Sequence, residues 1–398
     1  MGDLSIVFLS FFVIILLVIF KIDINIALFC GSTILILYFA GNKWSQVLLK
    51  NVVDFNTLFL MVTSFTIAVL AELYTKTQLI TAFNNSLILL LKKPSYVLSL
   101  IPAVLGLLPI AGGALFSAPV VKEVGKRLGL KDDRLVFLNV WFRHVLFMVF
   151  PLGQSLLITS IITGYNVIEL AGIQAPIAVF MVLIGFIFIP RTAFQPIKHE
   201  TIETKREFLK SSLPLLVAIF LALILTKLIG IFGMPIGVFL GIITMFFVTK
   251  IPFKVFTEVV KSKTVLSLTL SAFLIMLLQH SILDTGAKEI LSNFFVNYRV
   301  PFFLLLTIIP GILSALTSSA ITGIIMVVPL ISSIHSLTLK EASILYVTSF
   351  LMYTISPTHL CLIYTAKYFN VEIKGSYRYF IPSIALIIPF LVLYFAIL

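Results

Sequence analysis

The stretch from Thr348 to Phe369 reads TSFLMYTISPTHLCLIYTAKYF. It is apolar enough to cross a bilayer, yet Ser356-Pro357-Thr358-His359 stands at its centre. An imidazole titrates near neutral pH, so His359 can take up a proton, hydrogen-bond a ligand, or sit neutral against a backbone carbonyl. Arg143 lies within another apolar run, about 12 Å before Pro151 along a helix axis. It complements an anion there, or extends its stem toward a basic membrane face. His144 points to another side of that helix and is the weaker candidate. Glu72 ends a third apolar run, as a proton site or a solvated end residue. Gln279-His280 and Lys367 read as interfacial.

Proline inside a helix removes one N–H and clashes with the carbonyl a turn back. It is tolerated at the first turn of a helix, and serine suits the cap before it. Ser356-Pro357 therefore reads as the end of one half-helix and the start of another. RHVLFMVFPLGQSLLITS (Arg143–Ser160) breaks in the same way at Pro151. Each break offers free N–H groups, a positive dipole end and released carbonyls near mid-membrane. Around them cluster Gly153, Gln154 and Ser155 in one stretch, and Thr354, Ser356, Thr358 and His359 in the other. The bland alternative is a proline kink whose freed groups are satisfied by nearby hydroxyls.

The elements that must hold these residues follow from composition. Of the 398 residues 60% are hydrophobic and 11% charged, against about 25% charged in a soluble domain. Apolar runs give ten expected spans, at 4–20, 24–40, 57–75, 135–162, 168–190, 211–229, 231–249, 264–282, 341–367 and 378–397. The first lacks a preceding basic residue and a small-residue cleavage site, so it is read as a retained helix. Two further stretches, about 96–121 and 300–331, have Gly- or Ser/Thr-rich centres: PIAGGALFSAP (Pro109–Pro119) and SALTSSAITG (Ser314–Gly323). These suit re-entrant hairpins, whose bare backbone must be lined by protein or a water-filled cavity. Threaded this way, one face collects basic residues such as Lys122, Lys126, Arg127, Lys131 and Arg134. The other receives only Lys43, Lys50, Lys227, Lys288, Arg299 and Lys340. By the positive-inside rule the first face is cytoplasmic and both termini lie outside. The net charge of +12 then edges a membrane and calls for no nucleic acid.

A shift of 206 residues lays Pro151 on Pro357, Lys21 on Lys227, Gly31 on Gly237, Thr63 on Thr269, and Gly112-Gly113 on Ser318-Ser319. The expected organisation is one repeat over 1–190, a cytoplasmic linker over 191–210 and a second repeat over 211–398. Five spans per repeat is odd, so the two must be inverted in the membrane. Inverted repeats with interrupted helices mark secondary transporters, whose sites lie near the midplane.

Hairpin then broken helix, in two inverted copies, resembles the ion transporter superfamily of carboxylate, gluconate, citrate and arsenite carriers and sodium/proton antiporters. GGALFSAPVV (Gly112–Val121) and SPTHLCLIYTAKYF (Ser356–Phe369) resemble more narrowly the archaeal and bacterial membrane proteins of domain-of-unknown-function family 401. The superfamily resemblance implies a homodimer with a moving transport domain and a static scaffold. Its sodium–dicarboxylate members carry Ser-Asn-Thr at each tip. Here the tips read Ala111-Gly112-Gly113 and Thr317-Ser318-Ser319, without asparagine.

The expected function is secondary active transport of a small anionic solute, coupled to H⁺ or Na⁺, with a passive channel as the alternative. The site residues expected are Gly112, Gly113, Ser117, Gln154, Ser155, Thr317, Ser318, Ser319, Thr322, Ser356, Thr358 and His359. Pro151 and Pro357 break the helices, and Arg143 and Glu72 are anion or proton contacts. No cofactor beyond a coupling ion is expected. Two cysteines, Cys30 and Cys361, are too few for a Cys-based metal site or a disulfide framework. No His-Glu-x-x-His set and no Gly-Lys-Ser/Thr phosphate loop occurs, so neither an intramembrane hydrolase nor a nucleotide-driven pump is expected. The cell membrane is the expected location, with the bilayer and the solute as partners.

Overall fold

The computed structural model describes residues 2–20, 22–91, 93–107, 114–195 and 202–398, and among these it contains helices and no strand. Ten helices fill the first half: α1 (Gly2–Ile19), α2 (Ile24–Leu35), α3 (Trp44–Val53), α4 (Phe55–Lys76), α5 (Leu79–Leu90), α6 (Pro94–Gly106), α7 (Ala114–Arg127), α8 (Asp132–Phe147), α9 (Gln154–Thr163) and α10 (Val167–Ile187). Ten fill the second: α11 (Ile202–Ile229), α12 (Gly233–Thr249), α13 (Phe253–Val260), α14 (Lys263–Leu283), α15 (Ala287–Asn297), α16 (Ile309–Thr317), α17 (Ala320–Ser332), α18 (Leu339–Thr354), α19 (Leu360–Phe369) and α20 (Ile373–Ile397). Several pairs of starts stand close to 206 residues apart. α7 begins at 114 and α17 at 320; α9 at 154 and α19 at 360; α10 at 167 and α20 at 373.

Among the described residues six stretches are long and apolar enough to span a bilayer: Ile24–Val53, Phe55–Lys76, Val167–Ile187, Lys205–Thr249, Lys263–Leu283 and Ile373–Ile397. The protein is an all-α membrane protein. Other expected spans are made of shorter apolar helices, including Gly2–Val18, Gln154–Thr163 and Leu360–Phe369. Four helices occupy stretches where hydropathy marked only connectors. α3, α5, α13 and α15 have 10, 12, 8 and 11 residues, too few to register as a span of about 20.

The helices group into two compact units that do not follow the sequence halves. The first comprises Met1–Phe65, Gln154–Leu170 and Lys263–Ser356; the second comprises Thr66–Gly153, Ala171–Ser262 and Pro357–Leu398. Each takes its opening helices from one half of the chain. Each takes a packed pair of helices, α16 and α17 or α6 and α7, and the first part of a broken helix from the other.

In the first unit, α2 is pinned to α14 by Asn25, whose Nδ2 donates to Ser267 Oγ at 3.0 Å while its Oδ1 accepts from Ser271 Oγ at 2.6 Å. α17 folds back on α16 at Ser318-Ser319. Ser318 takes a left-handed conformation (φ 56°), and Ser319 Oγ caps α17 by accepting from Thr322 N. Gly323 makes the close return possible: a Cβ there would collide with Ser314 Oγ and the Pro310 carbonyl oxygen of α16.

The second unit is built around α8. Every residue from Leu135 to Val145 is buried, Asn139, Arg143 and His144 included, so the helix is enclosed by neighbours on all sides. α6, α7, α19 and α20 pack on it. Phe137 stacks on Trp141 (5.3 Å) and meets Phe380 of α20 edge-on (5.0 Å). Trp141 Nε1 donates to Met181 O at 2.9 Å. Separately, α12 lies against α11 through Gly233, Gly237 and Gly241, where added Cβ atoms would strike Thr226, Ala222 and Ala218. Small residues at four-residue spacing permit such backbone approach between apolar helices.

Candidate functional site

Both prolines interrupt helices, in different ways. After α8 the chain turns: Gly153 N donates to Phe150 O at 2.8 Å, placing Pro151 second in a tight turn, where its fixed φ fits. α9 then begins at Gln154. After α18, Ser356 N donates to Tyr353 O at 3.1 Å and the chain is non-helical until Leu360. His359 holds the N-cap position of α19, with extended backbone (φ −62°, ψ 116°). This corrects the reading of Ser356 as cap and Pro357 as first helical residue. The Ser356 hydroxyl is drawn elsewhere, donating to Ala315 O of α16 at 2.6 Å. α9 and α19 each have 10 residues, about 15 Å of helix, half the bilayer core of about 30 Å.

In the first unit the hairpin α16–α17 packs on α18, and α9 packs on α17 and α18. This gathers Gln154, Ser155, Thr317, Ser318, Ser319, Thr322 and Ser356 on packed neighbouring elements. Some hydroxyls are spent locally. Thr317 Oγ1 donates to Leu313 O at 2.7 Å, and Thr354 Oγ1 to Phe350 O at 2.8 Å. Ser314, Thr322 and Ser349 are fully buried (0% exposed), and their hydroxyls have no hydrogen-bond partner among the described residues. Ser349 Oγ reaches the same notch as Ser314: a Cβ on Gly323 would stand 3.0 Å from it. Leaving a buried hydroxyl unpaired costs about 1–3 kcal/mol, so a polar group that paired with them would be stabilised there. Ser314 and Ser349 were not singled out from the sequence. A serine in an apolar helix usually bonds back to its own turn, and nothing in the sequence marks the exceptions.

The second unit holds Glu72, Ser117, Arg143, Thr358 and His359. Ser117 is buried, and its hydroxyl donates to Ala114 O one turn back at 3.2 Å. Arg143 is 6% exposed, and its Nη1 donates to Leu105 O at 3.0 Å. It thus faces the carboxyl end of α6, where a cation is favoured by the helix dipole, instead of extending toward a charged face. His144 is also buried, and its ring meets that of His359 edge-on at 4.8 Å. The expectation that His144 points away is corrected: α8 is enclosed on all sides, so neighbouring residues both face protein. Thr358 and Pro357 are exposed, and Glu72 is half-buried on α4. Asn139, missed in the sequence, ties the start of α7 to α19, with Nδ2 donating to Ala114 O (3.0 Å) and Thr365 Oγ1 (3.2 Å). Gly112 and Gly113 lie outside the described residues.

The model of one family, described as a protein of unknown function (DUF401), matches residues 3–397. The chain belongs to the DUF401 family. A search of curated proteins returns no match. The match runs through both units, so the hydroxyl notch and the Arg143 region both fall within the DUF401 sequence model.

Proposed function

We propose that this DUF401 protein is a secondary active transporter of a small anionic solute, driven by H⁺ or Na⁺. The observation that carries the reading is the paired interruption. Two apolar helices stop at Phe147 and Thr354, and each resumes as a ten-residue half-helix amid buried polar groups. Half-helix ends near mid-membrane are how transporters present dipoles and free backbone to solutes and ions. In the second unit a buried Arg143 favours an anion, and in the first the hydroxyls of Ser314, Thr322 and Ser349, without a partner among the described residues, suit a solute with oxygen acceptors. In this reading the two halves are inverted repeats, α6–α7 and α16–α17 are re-entrant, and both termini face outward across the cell membrane. The protein works as a homodimer with alternating access, and it transports without catalysis.

The test is uptake into proteoliposomes with an imposed H⁺ or Na⁺ gradient, using labelled carboxylates, sugar acids and oxyanions. Accumulation above the external concentration, abolished by the matching ionophore, is expected. Equilibration that never exceeds the external level would make the protein a channel. Absence of flux for every solute under both gradients would overturn the transport reading.

A further inference from the structure

In the second unit His359, expected above as a proton or ligand contact, has two further donor residues beside it. One donor atom from each of His144, His359 and Cys361 lies within 4.8 Å of the other two. We propose that these three residues form a binding site for a thiolate-seeking d¹⁰ metal ion, Zn²⁺ or Cu⁺, with a fourth position open. The inference is independent of the transport reading.

Three observations carry it. First, the donor set is right. Two imidazoles and a thiolate are ligands that Zn²⁺ and Cu⁺ share. A tetrahedral site needs donors about 3.3–3.6 Å apart, so closure of about 1 Å completes it. Second, the outer contacts orient the ligands. His144 Nδ1 lies 2.7 Å from Val140 O; a carbonyl only accepts, so Nδ1 carries the hydrogen and Nε2 keeps its lone pair. A backbone partner on the far nitrogen is the usual support of a metal-bound histidine. Cys361 is the second residue of α19, close to free N–H groups, and Arg143 and His359 are within hydrogen-bonding reach of its sulfur. The helix end and the guanidinium supply the positive potential that a thiolate ligand requires. Third, the fold does not need these residues. A shift of 206 places Phe350, Gly153 and Ser155 at the equivalents of His144, His359 and Cys361. The other half builds its broken helix without a single ligand at those positions.

The neighbouring guanidinium sets the charge balance. Cu⁺ on one thiolate is neutral and leaves only the Arg143 charge. Zn²⁺ leaves an added positive charge, and the open position then takes an anion.

The full-length protein, stripped with chelator in detergent, is titrated with Co²⁺ as a spectroscopic probe. Expected are one tight equivalent per chain, the visible bands of tetrahedral cobalt, and a near-ultraviolet thiolate-to-cobalt charge-transfer band. Cys30→Ser keeps the band and Cys361→Ser abolishes it. His144→Gln and His359→Gln each weaken binding by about 100-fold or more. Displacement by Zn²⁺ in air and by Cu⁺ under anaerobic reduction ranks the two ions. A wild-type protein without the charge-transfer band, or a band that survives Cys361→Ser, overturns the site. Should Cys361→Ser fail to fold, alkylation in the Cys30→Ser background replaces it. Protection of Cys361 by stoichiometric Zn²⁺ or Cu⁺ supports the site, and no protection by either ion overturns it.

Discussion

The two broken helices sit on the same local plan and fill it with different chemistry. Beside the end of α18 stand Ser314, Thr322 and Ser349, buried hydroxyls with no charge among them. Beside the end of α8 stand Arg143 and His144, with His359 and Cys361 reaching in from the start of α19. A shift of 206 puts Ser349 at the place of Arg143 and Phe350 at that of His144. Chain geometry alone therefore does not dictate what lines a break. One region offers neutral oxygens, and the other offers a fixed positive charge and soft donors. The proposed transport of a solute coupled to an ion would give each region a different task.

The strongest way to break this comparison is to remove the charge from the charged side. Arg143→Met keeps most of the stem but leaves Leu105 O without its donor. An unpaired buried carbonyl and lost charged hydrogen bonds should cost about 2–4 kcal/mol, read as a fall in melting temperature. Anion-dependent stabilisation should vanish with it. If the variant melts with the wild type and still responds to anions, Arg143 is a bystander.

The next effect belongs to the hydroxyl side. Gly323→Ala drives a methyl into Ser314 Oγ and the Pro310 carbonyl oxygen. Overpacking of this kind costs about 1–3 kcal/mol. The position equivalent to Gly323 in the first half is Ser117, which already carries a Cβ and bonds within its own helix. Ser117→Ala should therefore stay within about 1 kcal/mol of wild type. Thermal melts of the pair show whether the notch is peculiar to the α16–α17 hairpin. Equal losses would mean that the two hairpins pack alike.

Much of this arrangement was legible in the sequence. Long apolar runs, Pro151 and Pro357, and the 206-residue offset each have a one-dimensional signature, because hydropathy and proline act locally. Contacts made across the fold have none. His144 was set aside because it follows Arg143 and so points elsewhere on a helix, an argument that holds only when one face is core. With α8 buried all round, both residues meet partners. Cys361 was discounted by counting cysteines, which overlooks a mixed set completed by histidines from two helices. Ser356 was read as a cap because its type and position fit, yet its hydroxyl bonds Ala315 O of the hairpin instead. That is a tertiary choice no local rule sees.

A smaller effect runs in the opposite direction. Ser349→Ala removes a buried hydroxyl that has no partner among the described residues. The empty protein should become more stable by about 1 kcal/mol, while stabilisation by the bound ion or solute falls. Higher melting without ligand and a smaller ligand shift is the outcome expected of a binding residue. Destabilisation in the empty protein would show that Ser349 is structural.

The smallest effect tests a second contrast, at the far ends of α4 and α14. In the first unit Asp284 accepts from Lys50 Nζ at 2.7 Å and pairs with His280 Nδ1 at 2.5 Å. The position equivalent to His280 in the other half is Tyr74. Its hydroxyl stands between Leu215 N (2.9 Å) and Ser211 O (3.0 Å), in the ladder of α11 beside Pro214. One corner is thus charged and the other neutral. Burial alone would raise the Asp284 pKa, but hydrogen bonds from Lys50 and His280 outweigh it and hold the carboxyl below its usual value of 3.8. A lowered carboxylate contributes stability above its unfolded pKa and loses it as pH falls through the folded one. Asp284→Asn should therefore melt below wild type at about pH 6 and converge with it toward about pH 3. Lys50 is mostly exposed, so the gap should stay near 0.5 kcal/mol and shrink with salt. Tyr74→Phe breaks a neutral bridge, and its deficit should be the same at both pH values. A pH-independent gap for Asp284→Asn would mean that the corner is held by packing, as on the Tyr74 side, and the contrast in charge would carry no energy.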